Sequence, residues 1–380
     1  MNVLVWVAIG AVALAAIPYI LYVGLFVLLR PDGSPAEKRP AEPPVSIVLP
    51  TYNEAGIVEG KLDELVSLDY PMEKVEIVVV DSSDDATAEL VRAFFEDRDH
   101  PELVLIEEAE RRGLALALND AYAAASNEMV VKTDCDSRVS PDVLREAAAN
   151  LADPDVGAVT GRNVEVLGGS EVESGYRGIQ APIQVLESHL DSTLIFHGPF
   201  SAFENDEIEP IDPNSIADDT ELALKIRRNG KRALFDPDIE YMEAAHSEFR
   251  KRRTQKDRRG MGLIRLLVQH RDALGRYGNY GRIVLPFNWW FMIVSPWLLA
   301  LALVLGTIGS VLSLGPFGLV FPVLLVGFVW LGANEWLGPL QAAYALFDTQ
   351  VSLWWASVGL LQGEGGPIWE VDQELREAYE

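Results

Sequence analysis

Two stretches of the chain carry no charged residue, positions 3 to 29 and positions 283 to 334. A helix needs roughly 20 apolar residues to cross the hydrocarbon core of a bilayer, and in lipid each backbone polar group must be satisfied within the segment. Both stretches are therefore expected to be helical. The first makes one transmembrane helix; the second is long enough to cross twice, turning near Ser313-Leu314-Gly315-Pro316. The first stretch has no basic n-region, is too long for an h-region and offers no clear cleavage site, so it reads as a retained anchor. Arg30, Lys38 and Arg39 follow it, and Arg276 and Arg282 precede the second stretch. By the positive-inside rule the part between them faces the cytoplasm.

That part reads as an α/β domain. Pro31 to Pro44 is a Pro, Glu and Ala linker without apolar periodicity, after which VSIVLP (Val45 to Pro50) makes a buried strand ending in Thr51-Tyr52-Asn53-Glu54. Helical spacing follows from Ile57 to Leu68. The alternation repeats with VEIVVV (Val75 to Val80), a helix from about Ala88 to Phe95, LVLIE (Leu103 to Glu107), an Ala-rich helix over Leu114 to Ala125, and a strand at Met129 to Val131. Four strands alternating with helices imply a mostly parallel, doubly wound sheet. Such sheets bind ligands beyond the carboxyl ends of their strands. No GxGxxG or Gly-Lys-Thr loop follows any strand, which removes support for a dinucleotide fold or a P-loop.

Asp134 and Asp136 alternate directly off the fourth strand, so their carboxylates can converge on one hard cation. Three other acidic pairs, Asp97/Asp99, Asp153/Asp155 and Asp236/Asp238, sit in charged or Pro-containing stretches that read as turns. Asp81 ends the second strand. Asp218 and Asp219 stand where a helix begins, a position at which Asp is commonly only an N-cap. Arg250, Lys251, Arg252, Arg253, Lys256, Arg258 and Arg259 crowd into ten residues, and the segment after them, Leu263 to Arg271, reads as an amphipathic helix on a membrane surface. Elsewhere acid dominates. With a net charge of −26, nucleic-acid binding is not expected, and the balance is that of a surface kept solvated at high salt, as in a halophile. The single cysteine, Cys135, excludes an internal disulfide and reads as a small buried filler. His189, His197 and His246 have no ligand-type partner at helical spacing and read as structural.

Taken in order, these segments resemble family 2 glycosyltransferases over about Val45 to Arg259. The carriers are LPTYNE (Leu49 to Glu54), VVVDSSDDAT (Val78 to Thr87), RRGLALALN (Arg111 to Asn119), KTDCDSRVSPDVL (Lys132 to Leu144), GAVTGRN (Gly157 to Asn163), ADDTELALKIRRNGKRALFDPD (Ala217 to Asp238) and QKDRR (Gln255 to Arg259). The resemblance implies a doubly wound, GT-A-like nucleotide-sugar-binding domain. It implies donor contacts from Pro50, Thr51, Asn53, Glu54 and Arg112, with Asp81 on the base, Asp134 on the ribose or sugar side and Arg258 on the diphosphate. Asp136 would hold Mg2+ or Mn2+, Asp219 would be the catalytic base, and Asp218 and Gln255 would stand on the acceptor side. Three positions depart from the pattern: Arg259 replaces the tryptophan of polymer-making members, Leu114 a lysine, and Ser82 an aspartate.

The chain is thus expected to contain a transmembrane helix at 1–30, a linker at 31–44, a cytosolic catalytic domain at 45–238, a basic and amphipathic interface region at 239–282 and two transmembrane helices at 283–335. An interfacial or fourth transmembrane helix at 339–361 and an acidic tail complete 336–380. The expected activity is inverting transfer of a sugar from a nucleotide-sugar, a UDP-sugar by preference, to a polyprenyl-phosphate-linked glycan or a polysaccharide at the cell membrane. A processive polysaccharide synthase is the near alternative. Two other classes stay open: a metal-dependent phosphohydrolase with Asp134 as nucleophile, and a nucleotide-sugar receptor without chemistry.

Overall fold

The computed structural model describes residues 2–167, 171–244 and 249–366. The first charge-free stretch is α1 (Val3–Leu29). After the linker come β1 (Val45–Thr51), α2 (Val58–Val66), β2 (Val75–Asp81), α3 (Thr87–Phe95), β3 (Glu102–Glu107), α4 (Leu114–Ala124) and β4 (Met129–Lys132). β1 pairs in parallel with both β2 and β4, and β2 in parallel with β3.

The second half of the domain adds β5 (Ser137–Val139), α5 (Val143–Leu151), β6 (Val156–Leu167), α6 (Glu171–Leu190), β7 (Ser201–Glu204), α7 (Asp218–Arg228) and β8 (Arg232–Ala244). One eight-stranded sheet results, in the order β3-β2-β1-β4-β7-β6-β8-β5. β7 runs antiparallel to β4 and β6, and β5 antiparallel to β8. The α/β class stands, but the mostly parallel arrangement is confined to β1 through β4, and the other half is mixed. The reason is local. β5 and β7 are too short to display a period of two, and β8 contains Asp236-Pro237-Asp238, which reads as a turn. In the fold that tripeptide lies inside the strand, where the register with β6 slips between Thr160 and Arg162. Proline gives no N–H to a ladder, and an irregular register accommodates it.

Alternate residues of the central strands enter two cores, which explains why those strands read as continuous apolar runs. Ile47, Leu49, Ile77, Val79 and Val131 pack on one face with Leu62 of α2 and Leu144 of α5. Val48, Val78, Val80 and Val130 pack on the other with Leu118 of α4 and Leu222 of α7. Each fully buried side chain of this size contributes roughly 1.5–3 kcal/mol.

The basic cluster and the apolar segment behind it form a single helix, α8 (Phe249–Gln269). Its apolar face is not presented to a membrane surface. Ile264 and Leu267 pack with Leu194, Leu224, Tyr280 and Leu353, and only Val268 of that stripe is exposed. The expected surface helix is therefore a docking helix, because its apolar stripe is already covered by protein. The second charge-free stretch runs through α9 (Leu285–Trp289), α10 (Ser295–Leu314) and α11 (Val320–Ala333), with π-helical turns at Tyr280–Val284 and Trp290–Val294. It breaks at the expected turn, where Gly315 adopts φ +57. α1 packs antiparallel to α10, with the Ser295 hydroxyl donating to Ala15 O at 3.2 Å and Asn2 N donating to the Ser313 hydroxyl at 3.3 Å. By length and composition, Val3–Leu29 and Tyr280–Ala333 are long and apolar enough to cross a membrane. α12 (Gln341–Leu361) lies against α8, where buried Asp348 accepts from Arg253 at 2.8 Å and from Lys256 at 3.3 Å. His246, Trp369 and the acidic tail lie outside the described residues.

Candidate active site

β1, β2 and β4 are parallel neighbours, so the segments that follow them meet at one edge of the sheet and border a cleft of about 750 Å3. Pro50, Thr51 and Glu54 line it from the end of β1, and Asp134 and Asp136 from the end of β4. Asp218 and Asp219 enter from the start of α7, and Gln255 and Arg258 from α8. Nine of the twelve residues singled out in the sequence thus converge on one space.

The other three do not line it. Asp81 lies behind the wall, buried, where it accepts from the Thr51 hydroxyl at 2.6 Å and from the Ser83 hydroxyl at 2.6 Å. Asn53 takes a left-handed conformation, φ +57. Its amide donates to the Ser83 hydroxyl at 2.8 Å and its side-chain oxygen accepts from Asp84 N at 3.1 Å, tying the loops after β1 and β2 together. Arg112 points away, pairing with the buried carboxylate of Glu108 and with exposed Asp120. Its neighbour Arg111 lines the cleft instead, with its guanidinium 3.8 Å from the centroid of the Tyr52 ring. Two adjacent arginines cannot be told apart by spacing alone, and the turn at Gly113 (φ +110) decides which one faces in.

At the floor of the cleft sits Lys132, the last residue of β4. Only 2% of it is exposed. Its ammonium lies 2.7 Å from Asp134 Oδ1, 3.5 Å from Asp219 Oδ2 and 3.0 Å from Gly198 O. Burial works against its charge, but Asp134, Asp219 and Asp218 more than offset this and hold its pKa well above the usual range. Lysine in an otherwise apolar central strand is a rare event, and that was the sequence signal for it. Gly198 shapes the same point. A β-carbon there would lie 2.7 Å from Asp134 Oδ2, 3.0 Å from Lys132 Nζ and 3.3 Å from Asp219 Oδ2.

Neither Asp218 nor Asp219 caps α7. The cap position is Ala217, with no side-chain cap bond, so both aspartates belong to the first helical turn. There the helix dipole favours their negative charge. Burial and the neighbouring carboxylates Asp218 and Asp134 push the Asp219 pKa up to about 8, with Lys132 opposing. Asp218 is raised as well, chiefly by burial. Asp218 Oδ2 and Asp219 Oδ1 are buried oxygens without a hydrogen-bond partner among the described residues. Arg258 faces Asp218, Asp134 and Asp136; burial, together with Arg259, brings its pKa down to about 10.

A further acidic group, Glu146, Asp236 and Asp238, lies where the linker crosses the domain. It is occupied by Lys38, whose ammonium stands 2.9, 2.7 and 3.0 Å from the three carboxylates. The group serves to pin the linker.

Residues 46–221 match the family model described as Glycosyl transferase family 2. The α/β domain belongs to glycosyltransferase family 2. This glycosyltransferase domain is 29% identical over 202 residues to poly-beta-1,6-N-acetyl-D-glucosamine synthase of Staphylococcus aureus, covering 51% of this chain and 48% of that protein. The corresponding synthase of Staphylococcus epidermidis is also 29% identical, over 208 residues, 52% of this chain and 47% of that one. The chain spans about half the length of these curated relatives. Among solved structures, it superposes on the mannosyltransferase PcManGT from Pyrobaculum calidifontis, in complex with GDP-Man and Mn2+, with a TM-score of 0.81 and 29% identity. That likeness covers 95% of this chain and 99% of the other, so it extends well beyond the glycosyltransferase domain into the apolar helices.

Proposed function

We propose that the chain is a membrane-anchored, inverting glycosyltransferase that moves a sugar from a nucleotide-sugar, with a divalent metal on the diphosphate and Asp219 as base. The observation that carries this reading is the convergence on one cleft of a strand-end pair, Asp134 and Asp136, with Arg258 on one side and the buried first-turn Asp219 on another. Asp136 offers the all-oxygen chemistry that Mg2+ or Mn2+ takes, while Asp134 is already engaged by Lys132. The metal, when bound, supplies Lewis-acid stabilisation of the leaving diphosphate. Arg258 adds a second positive charge toward the same group. Asp219 takes the proton of the acceptor hydroxyl as the new bond forms at the anomeric carbon and the bond to the diphosphate breaks. One base and no covalent intermediate give inversion.

A UDP-sugar is what the sequence pattern alone favours, but likeness over 95% of the chain to a protein holding GDP-Man makes GDP-mannose the first donor to test. The acceptor reading rests on the far wall of the cleft, which includes Met292 and Leu353. Met292 precedes Trp297, where the exposed apolar surface of α10 begins, by five residues, about 7.5 Å along a helix. A site this close to the expected bilayer surface suits a hydroxyl carried on a polyprenyl-phosphate-linked acceptor. The test is donor turnover in nanodiscs with lipid extract. Metal-dependent release of a nucleoside diphosphate, with sugar in the lipid fraction, supports the reading. Long water-soluble chains would favour a processive synthase, and unaltered cellular function of Asp219→Asn would favour a receptor.

A further inference from the structure

Lys132 is a buried charge on the floor of the cleft that the mechanism above leaves without a task. Burying an ammonium costs several kcal/mol unless it is well paired, and at the end of a central strand an apolar residue would fill the space. The geometry points to a specific use, and we propose that Lys132 is a positioning residue that ties the donor side of the cleft to its base: one ammonium fixes Asp134 and Asp219 relative to each other and supplies the positive charge against which Asp219 works as a carboxylate.

An ammonium has three donors, and three acceptors surround this one: Gly198 O, Asp134 Oδ1 and Asp219 Oδ2. The arrangement is tight, since a β-carbon at Gly198 would clash with Asp134 Oδ2 at 2.7 Å and press on Lys132 Nζ and Asp219 Oδ2 at 3.0 and 3.3 Å. Lys132 stands within ion-pair distance of Asp219, at 3.5 Å. The strongest other influences on Asp219 are its own burial and two carboxylates, Asp218 from its own helix and Asp134 from the loop after β4, while the nearby Tyr122 phenol of α4 is kept protonated by burial and these carboxylates. Arg258 of α8 acts on Asp218 and the strand-end pair. Removing the Lys132 charge therefore takes away a positive charge that opposes burial, Asp218 and Asp134, and moves Asp219 toward its protonated form.

The inference rests on the transferase reading, and its test separates the two. Wild type, K132M, K132Q and K132R are compared in nanodiscs by the pH dependence of kcat with GDP-mannose and Mn2+. K132Q keeps amide donors without the charge; K132R keeps the charge. The expected result is an acidic limb moved upward by at least one pH unit in the neutral variants, a tenfold or larger loss at neutral pH that partly recovers above pH 9, and an unmoved limb in K132R. An equal loss at every pH, with the limb where wild type has it, assigns Lys132 a merely structural role and overturns the proposal. So does failure of both neutral variants to fold while K132R folds. If wild type consumes no nucleotide-sugar, the transferase reading fails first and the role of Lys132 falls with it.

Discussion

A β-carbon on Gly198 would stand 2.7 Å from Asp134 Oδ2, closer than side chains approach. Proximity favours glycine here, since the position abuts both the Asp134 carboxylate and, at 3.3 Å, Asp219 Oδ2. Gly198→Ala is expected to lower kcat about 100-fold, the scale on which small misplacements act. Steady-state rates beside a thermal melt check this, with little change expected in the melt.

Asp219→Asn removes the proposed base while keeping the shape. Loss of a general base costs roughly 10²–10⁴ in rate, and donor affinity by calorimetry should stay within about threefold. The same variant should be more stable than wild type. The folded-state pKa of Asp219, about 8, lies above its ordinary value, so the folded protein binds more protons and its stability falls as pH rises from the unfolded pKa toward 8. The gain in melting temperature from Asp219→Asn is therefore expected to grow between about pH 4 and pH 8 and then level off. A gain that shrinks with pH would contradict the assignment.

Asp348 cross-links α12 to α8 through Arg253 and Lys256. Its replacement by alanine leaves two largely buried cations without this partner, which costs about 3 kcal/mol. Because α8 also carries Gln255 and Arg258 into the cleft, limited proteolysis at α8 and donor KM should both rise in Asp348→Ala.

Arg111 and Arg112 separate the inward from the outward arginine. Arg111→Ala is expected to raise donor KM roughly tenfold, by removing a cation from the cleft wall. Arg112→Ala removes pairs with Glu108 and Asp120 that lie outside the cleft lining, and should retain wild-type KM and kcat. The reverse result would restore Arg112 as the donor contact.

The parallel half of the sheet was legible because β1, β2 and β4 are buried on both faces and read as apolar runs. The mixed half was not, because β7 is four residues long and β8 conceals a bulge under Asp236-Pro237-Asp238. The cleft carboxylates were legible from strand ends and from the family resemblance together. Gly198 was not, because what favours it is a contact with residues more than sixty positions away. For α8, a pattern of apolar and basic residues states only that one face must be covered, and the sequence does not say whether protein or lipid covers it.

The most direct measurement is donor turnover by the purified chain in nanodiscs at high salt, with Mn2+, lipid extract and a panel of GDP-, UDP- and dTDP-sugars, beside Asp136→Asn and Asp219→Asn. Metal-dependent release of GDP from GDP-mannose, with mannose entering the lipid fraction and both variants inactive, is the predicted result. Hydrolysis of simple phosphoesters with no nucleotide-sugar consumed, or full transfer by Asp219→Asn, would contradict it.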